Sequence, residues 1–129
     1  MLLYEGLTAK IIAAFYEVSN ELGVGFLESA YEKALLIALQ EKGLKAVAQV
    51  PLNVYFRGEE VGLFFADILV DDKVVLELKA VNSLLPEHKA PVIMKATGIE
   101  VGSLVNFGKP QVEYRRFNNK ISPLSLLSL

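Results

Sequence analysis

The 129-residue chain contains no cysteine and one histidine. Without cysteine there is no disulfide framework and no thiolate metal site. No apolar run reaches the roughly 18 residues that span a bilayer, so a membrane is not an expected partner. The opening Met-Leu-Leu-Tyr-Glu-Gly lacks the basic region and small-residue cleavage site of a signal peptide. A cytoplasmic location is the simplest expectation. The chain shows no internal repeat, no low-complexity tract and no internal linker. A single domain over residues 1–129 is expected, with a hydrophobic tail at 121–129.

What the chain does contain is apolar. The hydrophobic fraction is 53% and the charged fraction 22%, a globular rather than a disordered balance. The net charge is only −2, but its distribution is uneven. Residues 1–78 hold 6 Lys and Arg against 12 Asp and Glu, whereas residues 79–129 hold 7 against 3. The second part carries Lys79, Lys89, Lys95, Lys109, Arg115, Arg116 and Lys120. That set reads either as a phosphate-facing surface or as scattered solvated charge.

Apolar residues at steps of three and four (Tyr4, Leu7, Ile11, Phe15, Val18, Leu22) predict an amphipathic helix over 4–22. A second helix is expected over 27–42, ended by Gly43. It is apolar enough to suggest cover on more than one side. From residue 47 the pattern turns to strands: 49–56, with Pro51 marking an edge or strand start, then 61–70 after a turn at 57–60. A helix opened by Pro86 is expected to run to Thr97 and stop at Gly98. Strands at 101–107 and 112–117 follow. The order implies an α/β fold, a mixed central sheet flanked by helices.

The stretch from Asp67 to Lys79 organises this pattern. Two apolar runs flank Asp71-Asp72-Lys73, the signature of a β-hairpin. A three-residue loop pairs Val70 with Val74 and Ile68 with Leu76, which brings the two apolar sets onto one face. The same register sets Asp67 directly opposite Glu77, with Lys79 pointing the same way. Like charges opposite each other destabilise a sheet. A divalent cation would remove the objection, because hard cations take carboxylate oxygens. Lys79 beside it would stabilise charge developing on a phosphate. The plainer alternative is a solvated Glu77–Lys79 ion pair with Asp67 in water. The apolar neighbours Leu63, Phe64, Phe65, Val74, Val75 and Leu76 argue against it, since buried charge needs a partner. Glu28, in the first turn of the second helix, either complements the helix dipole or faces the Asp67/Glu77 patch.

Three stretches together resemble a known family. Gly25-Phe26-Leu27-Glu28-Ser29-Ala30-Tyr31 fits Gly-x-x-Glu-x-x-Tyr. Asp67 followed by Glu77-Leu78-Lys79 fits Asp…Glu-x-Lys. Gly102-Ser103-Leu104-Val105-Asn106-Phe107-Gly108 resembles Gly-Leu-Leu-Ile-Asn-Phe-Gly. The chain resembles the GxxExxY proteins of the PD-(D/E)xK nuclease-like superfamily over roughly residues 4–117. The resemblance implies a restriction-endonuclease-like core. It implies Asp67, Glu77 and the Leu78 carbonyl as ligands of Mg²⁺ or Mn²⁺, with Glu28 assisting at the metal. It gives Lys79 the role of positioning the attacking water, and sets Tyr31 behind the site. The chain departs from the family at Pro91, where a Gln usually follows the His-x-Ala of His88-Lys89-Ala90, and at Ser19, where a His is usual. His88 reads as a surface residue at a helix start or as a phosphate contact near Lys79.

Three functions follow from this reading. One is metal-dependent hydrolysis of DNA or RNA phosphodiesters. The second is a catalytically degenerate nuclease fold that binds nucleic acid or a partner protein, or forms a homodimer. The third is a small structural domain whose charges form an ion-pair network.

Overall fold

The computed structural model describes residues 3–83 and 89–118. His88 and the 121–129 tail lie outside the described residues, and the third helix starts at Ala90 with Lys89 as its N-cap rather than at Pro86, so that Pro91 stands in its first turn.

The apolar stripe of the first segment folds as α1 (Glu5–Leu22), which buries Ile11, Ala14, Phe15 and Val18. Helix α2 (Glu28–Glu41) buries Tyr31, Leu35, Ala38 and Leu39. Helix α2 packs against both α1 and the sheet, with Ala34 and Leu36 adding to these four, so it is covered on more than one side as expected, while Ile37 stays exposed. The strands are β1 (Ala46–Phe56), β2 (Glu59–Val70), β3 (Val74–Lys79), β4 (Val101–Asn106) and β5 (Glu113–Asn118), with α3 (Ala90–Thr97) between β3 and β4. Strand β1 begins earlier than expected, and Pro51 lies within it at the sheet edge, where a missing N–H is tolerated. The first hairpin turn is tighter than the expected four residues. Arg57 and Gly58 are both left-handed (φ 52° and 81°), so two residues close it and Glu59 already pairs with Phe56. Strand β4 stops at Asn106, leaving Phe107 outside it.

The five strands lie in chain order, β1-β2-β3-β4-β5. Only β3 and β4 are parallel; the other neighbours are antiparallel. A parallel pair needs a crossover, and α3 lies on that crossover. Helices α1 and α2 share one apolar core with Ile68, Val70, Val74, Leu76 and Leu78. On the opposite face Ala66 and Val75 pack with Ile93 and Met94 of α3. Strand β3 is therefore covered on both faces, which is why five of its six residues are buried.

The hairpin forms with the expected pairs Val70–Val74 and Ile68–Leu76. The expected pair of Asp67 with Glu77 does not form. The ladder between β2 and β3 ends at Ile68–Leu76, and β2 continues with β1 alone. Asp67 also has no partner on β1, because the Gln49 opposite it is left-handed (φ 52°) and drops out of that ladder. Asp67 thus sits where β2 parts from β3.

Candidate active site

At this parting the N–H of Leu78 donates to Asp67 Oδ2 at 2.8 Å. The side chain takes over an amide that the departing strand no longer pairs. Asp67 is 4% exposed and Glu77 2%, so both carboxylates need partners. Glu77 alternates with Leu76 and Leu78 and turns towards α3. Its Oε1 accepts the Ala90 N–H at 2.9 Å, and so caps the first residue of α3. A carboxylate there also complements the helix dipole. The outer oxygens meet ammonium groups. Lys79 Nζ lies 3.6 Å from Glu77 Oε2, a loose ion pair. Lys89 Nζ lies 2.5 Å from Asp67 Oδ1. The two lysine side chains are 36% and 38% exposed. Each carboxylate is therefore tied on one oxygen to a backbone amide and faces a half-exposed cation on the other.

Glu28 opens α2, within electrostatic reach of Asp67, Lys79 and Lys89. Partial burial of its carboxyl raises its pKa first, and the Asp67 charge raises it further, against the pull of Lys79 and Lys89. The residue as a whole is exposed, so solvent weakens these effects. A carboxyl whose folded pKa lies above the unfolded value favours the fold in acid, and that contribution is lost as pH rises through the folded value. Glu28→Gln should therefore raise the melting temperature slightly at pH 7, by the equivalent of less than about 1 kcal/mol. The gap should close near pH 4, which melting curves across pH would show.

The other motif residues hold this arrangement in place. Gly25 takes φ 107°, open to glycine but strained for other residues, in the loop that leads into α2. Tyr31, one turn after Glu28, is fully buried. Its hydroxyl donates to the Gly23 carbonyl at 2.6 Å and accepts the Phe26 N–H at 3.4 Å, fastening that loop. The Tyr31 ring stacks on Phe107, with centroids 5.0 Å apart. The Phe107 N–H in turn donates to the Lys79 carbonyl at 2.9 Å. Asn106, fully buried, accepts Val81 N–H through Oδ1 at 3.0 Å and donates to the Val81 carbonyl through Nδ2 at 2.9 Å. Its Oδ1 also takes the Gly108 N–H at 3.0 Å. The three sequence motifs are thus one packed unit: Glu28 is fixed through Tyr31, Tyr31 rests on Phe107, and Phe107 and Asn106 hold the end of the strand that carries Glu77 and Lys79.

The donor chemistry suits a hard divalent cation, because Asp67, Glu77 and Glu28 offer carboxylate oxygens. Among the described residues no three His, Cys, Asp or Glu side chains are gathered as a ready metal cage. Glu28 therefore stands beside the Asp67/Glu77 pair rather than grouped with it. The fit is to the two outer oxygens, Asp67 Oδ1 and Glu77 Oε2, where the ammonium groups now lie.

Of the basic residues in the second part of the chain, Lys79 and Lys89 line the site. Lys109 pairs with Glu113, and Arg116 bonds Asn118 and the Leu3 carbonyl. Lys89 has no place in the site expected from the sequence, although one signal points to it. A lysine at the start of a helix opposes the helix dipole, so an acidic partner was to be expected. Asn106 stands in a sequence motif that carries no sign of its clamp on Val81.

The family model of the PD-(D/E)XK nuclease superfamily matches residues 5–117. A solved structure titled "Crystal structure of SSO0001" is similar with a TM-score of 0.53 and 17% identity, over 93% of this chain and 65% of that one. This chain thus spans under two thirds of that protein's length, and at such identity the likeness carries the fold alone. No curated protein matches the chain.

Proposed function

The chain belongs to the PD-(D/E)XK nuclease superfamily, and from that premise we propose that it hydrolyses phosphodiester bonds of DNA or RNA with a divalent metal ion. Its mixed five-stranded sheet, flanked by α1 and α2 on one face and α3 on the other, is a restriction-endonuclease-like α/β fold. Within the superfamily we place it with the GxxExxY proteins, because the three motifs of that group pack here as one unit around the site.

The observation that carries the reading is a pair of buried carboxylates whose outer oxygens each meet a partly exposed lysine. Burial of that kind is costly and has no apolar packing benefit. Asp67, Glu77 and the Leu78 carbonyl would hold Mg²⁺ or Mn²⁺, with Glu28 beside them. The ion, when bound, supplies Lewis-acid polarisation of the phosphate and a lowered pKa for the attacking water. The chain's own groups do the rest. The Leu78 and Ala90 amides fix the inner oxygens of Asp67 and Glu77 and so aim the outer ones. Lys79, whose ammonium is only loosely held, would meet a phosphate oxygen and offset the charge that develops on it. Glu28, with its raised pKa, is the site's candidate for taking up a proton from water.

Calorimetric titration with Mn²⁺ tests the reading. Wild type should bind the ion, and Asp67→Asn/Glu77→Gln should lose at least about tenfold in affinity, since truncating ligand charge removes the main attraction. The amide oxygens retain the bonds from Leu78 and Ala90, so the fold should survive. Absence of ion binding in wild type would overturn the reading. A second reading is favoured by the protein donors that already hold these carboxylates, three of whose four oxygens accept hydrogen bonds while Glu77 Oε2 has a loose ion pair: the fold would serve as a module for binding nucleic acid or a partner protein. Ion binding without cleavage of any DNA or RNA strand would select it.

A further inference from the structure

We infer that Lys89 is a built-in counter-ion that occupies the cation position on Asp67 and competes with the divalent ion for it. The inference rests on the metal reading of this site and adds a residue to it.

The argument begins with which partners can leave. Asp67 Oδ2 and Glu77 Oε1 are held by backbone amides of β3 and α3, which cannot move without disturbing those elements. The other two oxygens meet side chains on flexible four-carbon stems. Lys79 is already loose, at 3.6 Å from Glu77 Oε2. Lys89 is the close partner, at 2.5 Å from Asp67 Oδ1. With 38% of its side chain exposed, against 5% for Asp67, Lys89 can turn out to water while Asp67 cannot. Charge agrees with this assignment. Lys79 and Lys89 balance the charges of Asp67 and Glu77 without an ion, and the Glu28 carboxyl adds to the negative side. Lys89 also stands at the N-terminal end of α3, where the helix dipole disfavours a cation; Asp67 holds it there. A divalent ion placed on Asp67 Oδ1 would need that position, and Lys89 must give it up. Cation exchange of this kind keeps the buried carboxylates paired at low ion concentration and makes ion binding weaker than the oxygen donors alone would allow.

The test is titration of Mn²⁺ alone, in the absence of nucleic acid, into wild type, Lys89→Met, Lys89→Arg and Lys95→Met. Lys95 is exposed on the last turn of α3 and serves as a control for net charge. Lys89→Met should bind Mn²⁺ about tenfold or more tightly than wild type, given the size of a close charge–charge interaction even at high dielectric. Lys89→Arg and Lys95→Met should bind as wild type does. Lys89→Met should also melt lower in EDTA and gain more from added Mn²⁺, which reads the same affinity order for a variant too unstable to titrate. Equal affinity of wild type and Lys89→Met would overturn the inference and leave the metal reading standing. Equal tightening in Lys95→Met would also overturn it, as a net-charge effect. No ion binding by any variant would overturn the metal reading and the inference with it.

Discussion

Lys79→Ala should slow cleavage of a labelled DNA or RNA strand by about 10²–10³-fold, the usual effect of removing one group that stabilises transition-state charge. Neither the fold nor ion affinity should suffer much. The Lys79 side chain is 36% exposed and its nearest acidic oxygen is 3.6 Å away, beyond hydrogen-bond range. Its backbone carbonyl, which takes the Phe107 N–H, is unchanged by the substitution. The variant therefore separates catalysis from binding. Mn²⁺ titration of Lys79→Ala should give an affinity at or slightly above that of wild type, because a nearby positive charge has gone. A wild type that cleaves and a Lys79→Ala that cleaves equally well would deny the lysine its role and, with it, the Glu77-Leu78-Lys79 assignment. Lys79→Arg should recover little, since a planar fork does not replace a compact ammonium.

Gly108→Ala should destabilise the protein by about 3 kcal/mol or more, at the upper end of overpacking costs. A Cβ at this position would run into the backbone N and O of Val81 and lie 2.7 Å from the Ala80 carbonyl carbon. The obstacle is main chain, which cannot swing away as a side chain can. That main chain is also clamped, because Asn106 holds Val81 on both its N–H and its carbonyl. Relief of the clash must break those bonds in a buried place, where unpaired polar groups are expensive. The loss is a large part of the roughly 5–15 kcal/mol that holds a domain together. Chemical denaturation should show the midpoint falling with little change in slope. Lys79 lies two residues before Val81, so any protein that still folds should also lose activity. A Gly108→Ala protein as stable as wild type would show that the 80–81 and 106–108 segments lie further apart.

Much of this architecture is readable without coordinates. The 3.6-residue spacing of Ile11, Phe15 and Val18 can only pay off as a helix with one buried stripe. The hairpin pairs Val70–Val74 and Ile68–Leu76 follow from a three-residue loop and the need to put apolar residues on one face. These are short-range rules, satisfied within a few residues. The same rule extended by one pair sets Asp67 opposite Glu77, a pair that does not form. Alternation carries no information about where a strand leaves its neighbour, and Asp67 is at that point.

The sequence by itself determined the helices, the hairpin and the kinds of group at hand: two carboxylates, a lysine, and a Glu one turn ahead of a Tyr. Only the tertiary structure decided who meets whom. Lys89 reaches Asp67 across 22 residues of chain, and Ala90 reaches Glu77 across 13. Tyr31 rests on Phe107 from another layer altogether. Such meetings are fixed by how the β3-α3-β4 crossover returns the chain to the sheet and by how closely α2 packs against it. Local periodicity sets which face a side chain takes, whereas its partner depends on the close packing of every element between them.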